Sequence, residues 1–317
     1  MMMMQAASSA HSQHTLMKDQ LLKRVRDIPA LPQVVNEVLS LLSVPGSPAS
    51  RIAELISLDP GLTSRVLRMV NSSAYGMQRQ ITSVQQSIAL LGFASVRSLV
   101  LSASVCNAFR NPSKQVKEGG LEIEEFWHQS LLTALCAKQI CTLYNMKEGE
   151  EIFSAAMLHD VGHLILGYFA SDLDHILTKN LHKLKIDRDS PESLGIETKL
   201  FGFDHQALGM DLAQRWNFPT PVIEVIAHHH QPKLAQKYQG SVLVVALCNQ
   251  LLHARKHYGW DELDLDCLTP DVIEFFSFEE DEELEALGEQ LAPFEEEARE
   301  LVDFMFAMAE AQEAEDA

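Results

Sequence analysis

Imidazole and carboxylate side chains between positions 128 and 249 have the types and spacing of a single metal site. They are His128, His159, Asp160, His205, His228 and His229, and Asn249 holds the place where a further carboxylate is expected. Imidazole nitrogen and carboxylate oxygen are ligands that Zn, Fe, Mn and Ni share. The pattern therefore predicts a divalent metal centre or the remnant of one, and it indicates no organic cofactor.

His159 and Asp160 directly follow the run Ile152–Leu158, which is apolar on every side and typical of a fully buried helix. An ionisable pair at the end of such a helix is costly unless each group is paired or bound to a metal. We therefore expect a functional role for the pair. His163 follows His159 at the helical spacing of a chelating pair, and the alternative is an ordinary hydrogen-bonded core histidine.

The remaining histidines are expected at helix ends. His205 follows Asp204, which is a helix-capping residue, and a short helix that Thr220 opens has His228–His230 as its last turn before Pro232. Protonated histidines at a helix C-terminus are stabilising by roughly 0.3 to 1 kcal/mol without any metal, so that explanation stays open.

Asn249 belongs to the inward stripe of a helix that begins after Ser241. The apolar members of that stripe are Val242, Val245, Ala246 and Leu252. A polar side chain on such a face must be hydrogen-bonded or must bind a ligand.

The elements that position these residues are helices throughout. Apolar residues repeat at helical spacing, Asp59 with Pro60 and Ser83 with Gln86 mark helix starts, and Gly92 marks a helix end. We predict a disordered stretch over 1–17, a helical subdomain over 18–112, a polar linker and a second helical subdomain over 121–262.

Composition limits the class of protein. The chain has 317 residues, 46% of them apolar, and five cysteines without a CxxC pair, which favours a globular protein with free thiols in a reducing cytosol. No signal peptide and no apolar run near the roughly 18 residues of a membrane span is evident, so we expect a soluble cytoplasmic protein. The net charge of -19 argues against direct nucleic-acid binding.

Most of the negative charge lies in the predicted tail over 276–317. From Glu279 to Ala317 the chain has 16 acidic residues and one basic residue, Arg299, so this stretch carries -15 and the rest -4. Its apolar stripes are formed by Leu284, Leu287, Leu291, Phe294, Ala298, Leu301, Met305 and Met308. Such helices either pack back on their own domain or dock a partner, which includes a second copy of the chain.

With these residues in place, the chain resembles an HDOD protein, from the output-domain branch of the HD superfamily of metal-dependent phosphohydrolases. The resemblance covers about Lys18–Gly259, within a domain placed at 18–275. Its motifs are Leu31-Pro32, Asp59–Leu62, Asn71–Gly76, Ile88–Gly92, Leu158–Gly162 and His229–Pro232. The resemblance implies an all-α fold, in which an N-terminal helical bundle packs on an HD-like helical core.

Catalytic relatives in that superfamily, the HD-GYP phosphodiesterases, bind metals through a set that matches this chain residue by residue. Glu124 and His128 resemble their first Glu and His, His159 and Asp160 the HD dyad, His205 the next His, His228 and His229 the HH pair, and Asn249 the closing Asp. By this resemblance Asp160 and His163 are the catalytic candidates, and all eight matched residues are the metal-ligand candidates, for Fe, Mn, Zn or Ni.

Three departures from the catalytic pattern bear on function. His163 replaces the lysine of HDxGK, the GYP loop is missing after His228–Pro232, and Asn249 is neutral. HDOD proteins are thought of as signalling modules whose catalytic set has decayed. We therefore expect a signal-transduction module with protein partners that retains an HD-type metal site and is not an enzyme. The alternative is a metal-dependent phosphohydrolase acting on a phosphodiester, nucleotide or other phosphate ester.

Overall fold

The computed structural model describes residues 31–44, 46–109, 120–146 and 151–316, with side chains up to residue 307. Within these ranges the chain forms helices and no β-strand, so the expected all-α, HD-like fold class is confirmed. The α-helices are α1 (Gln33–Ser43), α2 (Ala49–Ser57), α3 (Pro60–Val70), α4 (Val84–Ala108), α5 (Ile123–Leu143), α6 (Ile152–Leu158), α7 (Val161–Phe169), α8 (Ser171–Leu184), α9 (Pro191–Phe201), α10 (His205–Arg215), α11 (Thr220–His228), α12 (Gln239–Tyr258), α13 (Pro270–Phe276), α14 (Asp281–Leu291) and α15 (Phe294–Asp316).

The first four helices form a bundle in which α1, α2 and α3 pack against α4. The predicted caps are present, since Asp59 Oδ1 accepts a hydrogen bond from the Leu62 N–H at 2.8 Å and Ser83 Oγ accepts one from the Gln86 N–H at 3.2 Å. Gly92 has φ of +81°, so the helical backbone is interrupted at the predicted helix end, and α4 continues beyond this kink.

The second group of helices carries the residues singled out in the sequence. Helix α5 packs against α6 and α12, α6 packs against α11, and α7 packs against α10. Because His159 and Asp160 separate α6 from α7, and His205 begins α10, these packings bring helix ends together. Helix α4 also packs against α6, which joins the two groups around a continuous apolar core.

The acidic tail packs back on its own chain. Helix α15 lies against α3 and α5, and the apolar residues of its inner face are buried as far as Met305. Glu297 accepts a hydrogen bond from the Ser73 N–H at 2.6 Å, and Glu295 lies 2.5 Å from the Arg255 guanidinium. The described part of the stripe is therefore covered by the chain itself, while a homodimer through the tail stays a prediction.

Among the described residues, two stretches have the length and hydropathy of a membrane span, contrary to the expectation that none approaches one. Val84–Ala108 has a mean hydropathy of 1.8 and Ile152–Phe169 one of 1.3. Of the most apolar part of each, 61% and 89% respectively is buried inside the protein. This burial is what the core helices of a soluble protein show.

Several sequence predictions fall outside the described residues. These are the disordered stretch 1–17 and nearly all of the polar linker. None of the five cysteines, all of which are among the described residues, forms a disulfide bond, and all except Cys267 are buried.

Candidate metal centre

Imidazoles from separate helix ends surround one buried carboxylate. Donor atoms of Asp160, His205, His229 and His230 all lie within 4.8 Å of one another, and these donor atoms are buried. Asp160 Oδ1 lies 3.4 Å from His205 Nε2 and 3.2 Å from His229 Nε2. Its second oxygen, Oδ2, lies 3.1 Å from Nε2 of His159. This arrangement has the composition of a metal site.

Three of the imidazoles are held through Nδ1, and this leaves Nε2 facing the cluster. The partners of Nδ1 are Glu197 Oε2 for His205 at 2.9 Å, the Ala156 carbonyl for His159 at 2.7 Å and the Val225 carbonyl for His229 at 3.1 Å. Carbonyl and carboxylate oxygens only accept, so each Nδ1 carries a proton. In the neutral ring Nε2 then keeps its lone pair, as a metal ligand must.

The cluster fits a divalent cation because its lone pairs face one another. Nε2 of His205 lies 3.3 Å from Nε2 of His229, a separation at which two lone pairs repel unless a proton or a metal lies between them. Among the described residues, nothing hydrogen-bonds to the buried atoms His159 Nε2, Asp160 Oδ1 and His230 Nε2. Buried polar atoms are normally satisfied, and first-row metals bind such N and O donors at about 2.0 to 2.2 Å.

The charges of the cluster also suit a cation. Burial opposes ionisation of Asp160, but the adjacent His159 outweighs burial and holds the pKa of that carboxyl well below its usual value. Burial lowers the pKa of His229 to about 4 and lowers the pKa of His230 far below the usual value, so both rings are neutral. Metal ligation requires an ionised carboxylate and neutral imidazoles, so Asp160, His229 and His230 are already in the form that binds a metal. The pKa values of His159 and His205 are raised by their carboxylate neighbours, so these two rings must each release a proton when a metal binds.

Glu197 was missing from the predicted site residues. It is fully buried in α9, and its carboxylate accepts hydrogen bonds from both the backbone N–H and Nδ1–H of His205, at 2.6 and 2.9 Å. Burial alone would lower the pKa of His205, but the Glu197 charge outweighs burial and raises this pKa to about 9. The sequence does contain a signal for Glu197. It is a carboxylate on a helical stripe whose other members, Leu194 and Phe201, are apolar.

Two glycines allow the helices to approach closely enough to form the cluster. A Cβ atom at Gly162 would lie 2.0 Å from the His205 carbonyl oxygen, and a Cβ atom at Gly209 would lie 2.8 Å from a methyl carbon of Ile226. Gly162 therefore lets the N-terminus of α7 lie directly on the N-terminus of α10. This contact places His205 beside Asp160.

Two candidate ligands on α5 lie apart from the cluster. Glu124 is exposed, and the buried His128 has its Nε2 atom 3.3 Å from the Glu295 carbonyl oxygen in α15. The α5 residues that line the cavity beside the cluster include their neighbours Glu125 and Gln129, together with Phe126, Ser130 and Thr133. The face of α5 turned toward this cavity is thus rotated away from Glu124 and His128.

The histidine run at the end of α11 is also shifted by one residue. His229 and His230 contribute donor atoms to the cluster, whereas the expected pair was His228 and His229. Helix α11 ends at His228, which is half-buried. Where the chain leaves the helix, His230 rather than His228 turns toward the ring of His205, at a centroid distance of 5.2 Å.

Asn249 and His163 both lie next to the cluster. Asn249 lines a cavity together with His159 and Asp160, and its Nδ2 donates to the Asp189 carbonyl at 3.3 Å. His163 is buried with its ring stacked on that of His205 at 4.1 Å, and burial holds its pKa well below the usual value. His163 is thus a neutral ring that stacks on His205 and supports the position of the His205 ring.

The cavity beside the cluster has a volume of about 230 Å³, and its wall carries both cationic and carboxylate side chains. Arg188 and Lys256 both line it. Arg188 is held by the buried Asp174 at 2.7 Å, and Lys256 lies 2.7 Å from the Asp189 carboxylate. The cavity therefore offers cationic groups next to a carboxylate and imidazole cluster, although acidic partners offset their charge.

The HDOD domain model matches residues 28–232, which is more than half of the chain and includes the cluster from His159 to His230. The chain belongs to the HDOD family. A relative of this HDOD protein is an uncharacterized protein of Treponema pallidum (strain Nichols), 25% identical over 286 residues. The match covers 88% of the HDOD protein but 52% of that relative, so the chain spans about half of the relative's length.

Solved structures share the fold of this HDOD protein. An HDOD domain protein with unknown function from Geobacter sulfurreducens superposes with a TM-score of 0.66 and 22% identity, covering 91% of this chain and 99% of that one. A candidate phosphohydrolase from Shewanella amazonensis SB2B superposes with a TM-score of 0.70 and 23% identity, covering 90% and 97%. A candidate signal transduction protein from Marinobacter aquaeolei VT8 has a TM-score of 0.67 and 19% identity, covering 92% and 66%. At these identities the likeness shows the fold alone.

Proposed function

We propose that this HDOD protein is a cytoplasmic signal-transduction module whose buried histidine and aspartate cluster binds one divalent first-row metal ion. The ligands would be Asp160, His205, His229 and His230, with His159 beside them. Its output is a conformational state passed to a partner protein through surface contacts. The signalling role is inferred from membership of the HDOD family. The sequence also lacks the GYP loop that would orient a substrate, which argues against a catalytic role.

One observation carries the metal proposal. The Nε2 atoms of His159, His205 and His229 lie within 3.1 to 3.4 Å of the Asp160 oxygens, and each of these rings is oriented by an acceptor at Nδ1. Three histidines held in one tautomer around an anion make a preorganised cation site, because the outer hydrogen bonds fix the ring directions. Mixed imidazole and carboxylate ligands suit Mn, Fe, Ni or Zn.

Metal analysis of purified protein tests this proposal. After incubation with Mn, Fe, Ni or Zn and removal of free metal, Asp160→Asn should contain one equivalent less than the wild type, because it lacks the central anionic ligand. Glu122→Gln is the matched control, since it removes an exposed carboxylate that lines the same cavity outside the donor cluster, and it should retain the wild-type content. Equal metal content in wild type and Asp160→Asn, with both folded by circular dichroism, contradicts the proposal.

The two cationic side chains in the cavity wall favour a second candidate function, that of a metal-dependent phosphohydrolase. The resemblance suggested that replacing the HDxGK lysine with His163 removes a phosphate-binding cation. Arg188 nevertheless places a guanidinium nitrogen 3.5 Å from His163 Nδ1 and lines the cavity. A divalent metal in the cluster would supply Lewis acidity toward a phosphoryl oxygen. Arg188 and Lys256 would orient a phosphate ester, although Asp174 and Asp189 reduce their charge.

A chromogenic phosphodiester, bis(p-nitrophenyl) phosphate, separates the two functions. We expect little or no turnover by the wild type with Mn, Fe, Ni or Zn, because the cavity cations are already paired with carboxylates. Turnover well above the metal-only background that is lost in both Asp160→Asn and Arg188→Gln would replace the signalling proposal with the enzymatic one. Glu192→Gln, an exposed change outside this cavity, serves as the control for protein quality.

A further inference from the structure

A second group of metal-ligand side chains lies at the protein surface, apart from the buried cluster. His253 Nδ1 and His257 Nε2 lie 3.1 and 2.9 Å from the same oxygen, Oδ2 of Asp187. The three donor atoms all lie within 4.8 Å of one another. None of the three residues is fully buried, and His257 has half of its side chain exposed. A metal ion could therefore reach this group directly from solvent.

The two histidines are held on one face of a rigid element. They are four residues apart in α12, the spacing that places side chains one above the other on a helix. Asn249 lies one turn earlier on the same face and lines the cavity beside the buried cluster. The stripe of Asn249, His253 and His257 thus runs along α12 from the wall of that cavity to the surface.

The third donor comes from a loop that is tied down directly after Asp187. The Asp187 carbonyl accepts a hydrogen bond from Ser190 Oγ at 2.9 Å, which closes a tight turn. The neighbouring Arg188 is paired with the buried Asp174 of α8, and Asp189 is paired with Lys256 of α12. Because these contacts fix the loop against both helices, the Asp187 carboxylate is positioned before any ligand binds.

We propose that Asp187, His253 and His257 form a second metal site, which binds a divalent transition metal such as Zn²⁺ or Ni²⁺ at the surface. Two ligands that each lie about 2.1 Å from a tetrahedral metal are about 3.4 Å apart, so the observed 2.9 and 3.1 Å require only small side-chain shifts. Solvent would complete the coordination. The metal would thereby link the loop around Asp187 to α12.

The surroundings leave room for an added positive charge. Lys256, a neighbouring cationic side chain on α12, is already paired with Asp189. Among the described residues, no hydrogen-bond partner with suitable geometry is present for the buried Nδ1 atom of His253, although Asp187 Oδ2 lies 3.1 Å away. A metal between the donors gives both Nδ1 and the carboxylate a ligand bond. The competing explanation is a simple pairing of two histidines with one aspartate.

Calorimetric titration with Zn²⁺ distinguishes these explanations. The titrated protein is the full chain with Asp160→Asn, so that the central cluster lacks its carboxylate. We expect this protein to bind one equivalent of Zn²⁺. Adding His257→Gln or Asp187→Asn should weaken that binding at least about tenfold, because each removes one direct ligand. Adding His175→Gln, an exposed histidine of α8 outside the cluster, should leave it unchanged.

The outcome of this titration does not depend on metal binding at the buried cluster around Asp160. No binding of Zn²⁺ by the Asp160→Asn protein, or binding that both His257→Gln and Asp187→Asn leave unchanged, overturns the surface site and leaves the central one untouched. Addition of Zn²⁺ should slow hydrogen exchange in the loop around Asp187, and His257→Gln should abolish this effect. Such a result supports a metal link between the loop and α12. Circular dichroism melting of each variant without metal ensures that lost binding does not reflect lost folding.

Discussion

Replacing Glu197 with alanine is expected to destabilise the protein by about 3 to 5 kcal/mol, which is the usual cost of removing one partner from a buried charge pair. The change leaves the backbone N–H and Nδ1–H of His205 buried without an acceptor. It also frees the His205 ring to rotate. We therefore expect metal affinity to fall by roughly 10- to 100-fold, as it does when outer hydrogen bonds to ligands are lost.

Chemical denaturation and metal titration measure the two effects of Glu197→Ala separately. Glu192→Ala, a carboxylate on the same helix α9 that is exposed, should change stability by only about 0.5 kcal/mol. Glu197→Gln keeps an acceptor for one of the two N–H groups and should fall between alanine and the wild type. Wild-type stability and metal affinity in Glu197→Ala would show that His205 does not depend on this carboxylate.

Replacing Gly162 with alanine is the second change with a large expected effect. The added Cβ would lie 2.0 Å from the carbonyl oxygen of His205, and this obstacle is backbone that cannot rotate away. Helices α7 and α10 must separate, at a cost of about 3 kcal/mol for overpacking. Since His205 begins α10, the separation also moves its ring away from Asp160, so metal content should fall.

Gly195 provides a matched control for this substitution. It lies in the interior of α9, and among the described residues no atom beyond the backbone of its own helix and its chain neighbours lies within 4 Å of the position that its Cβ would occupy. Gly195→Ala should therefore be neutral or stabilise the protein by about 0.5 to 1 kcal/mol, because alanine favours the helix. Thermal melting and metal analysis of both variants test the contrast. Equal melting temperatures for Gly162→Ala and the wild type would contradict the close approach of α7 to α10.

The fold class could be predicted because its signals are local. Asp59 and Ser83 cap helices through hydrogen bonds to residues three positions ahead, and this geometry follows directly from the sequence spacing. The run Ile152–Leu158 is completely buried, as expected from its uniform apolarity. Gly92 interrupts a helix, as expected from its conformational freedom, although the chain continues as a helix beyond it.

The candidate ligands could be predicted only in part. His159, Asp160, His205 and His229 lie together as the spacing suggested, although whether they bind a metal stays a prediction. His230 takes the place expected for His228, and His128 contacts α15. Each difference from the expected positions is a small rotation of a helix face or a shift at a helix end. Spacing along a helix defines which residues share a face, but the rotation of that face is set by packing against other helices.

The sequence by itself determined the helices, their caps, the apolar core and the types of side chain available for a metal site. Tertiary structure decided which of those side chains meet. Glu197 supports His205 only because α9 packs beside α10, and Gly162 matters only because α7 and α10 approach to backbone contact. The acidic tail illustrates the same point, since its stripe fits either a partner or its own chain, and packing against α3 and α5 selects the latter for the described residues. Local spacing fixes faces, whereas contacts between distant segments depend on how all faces are buried together.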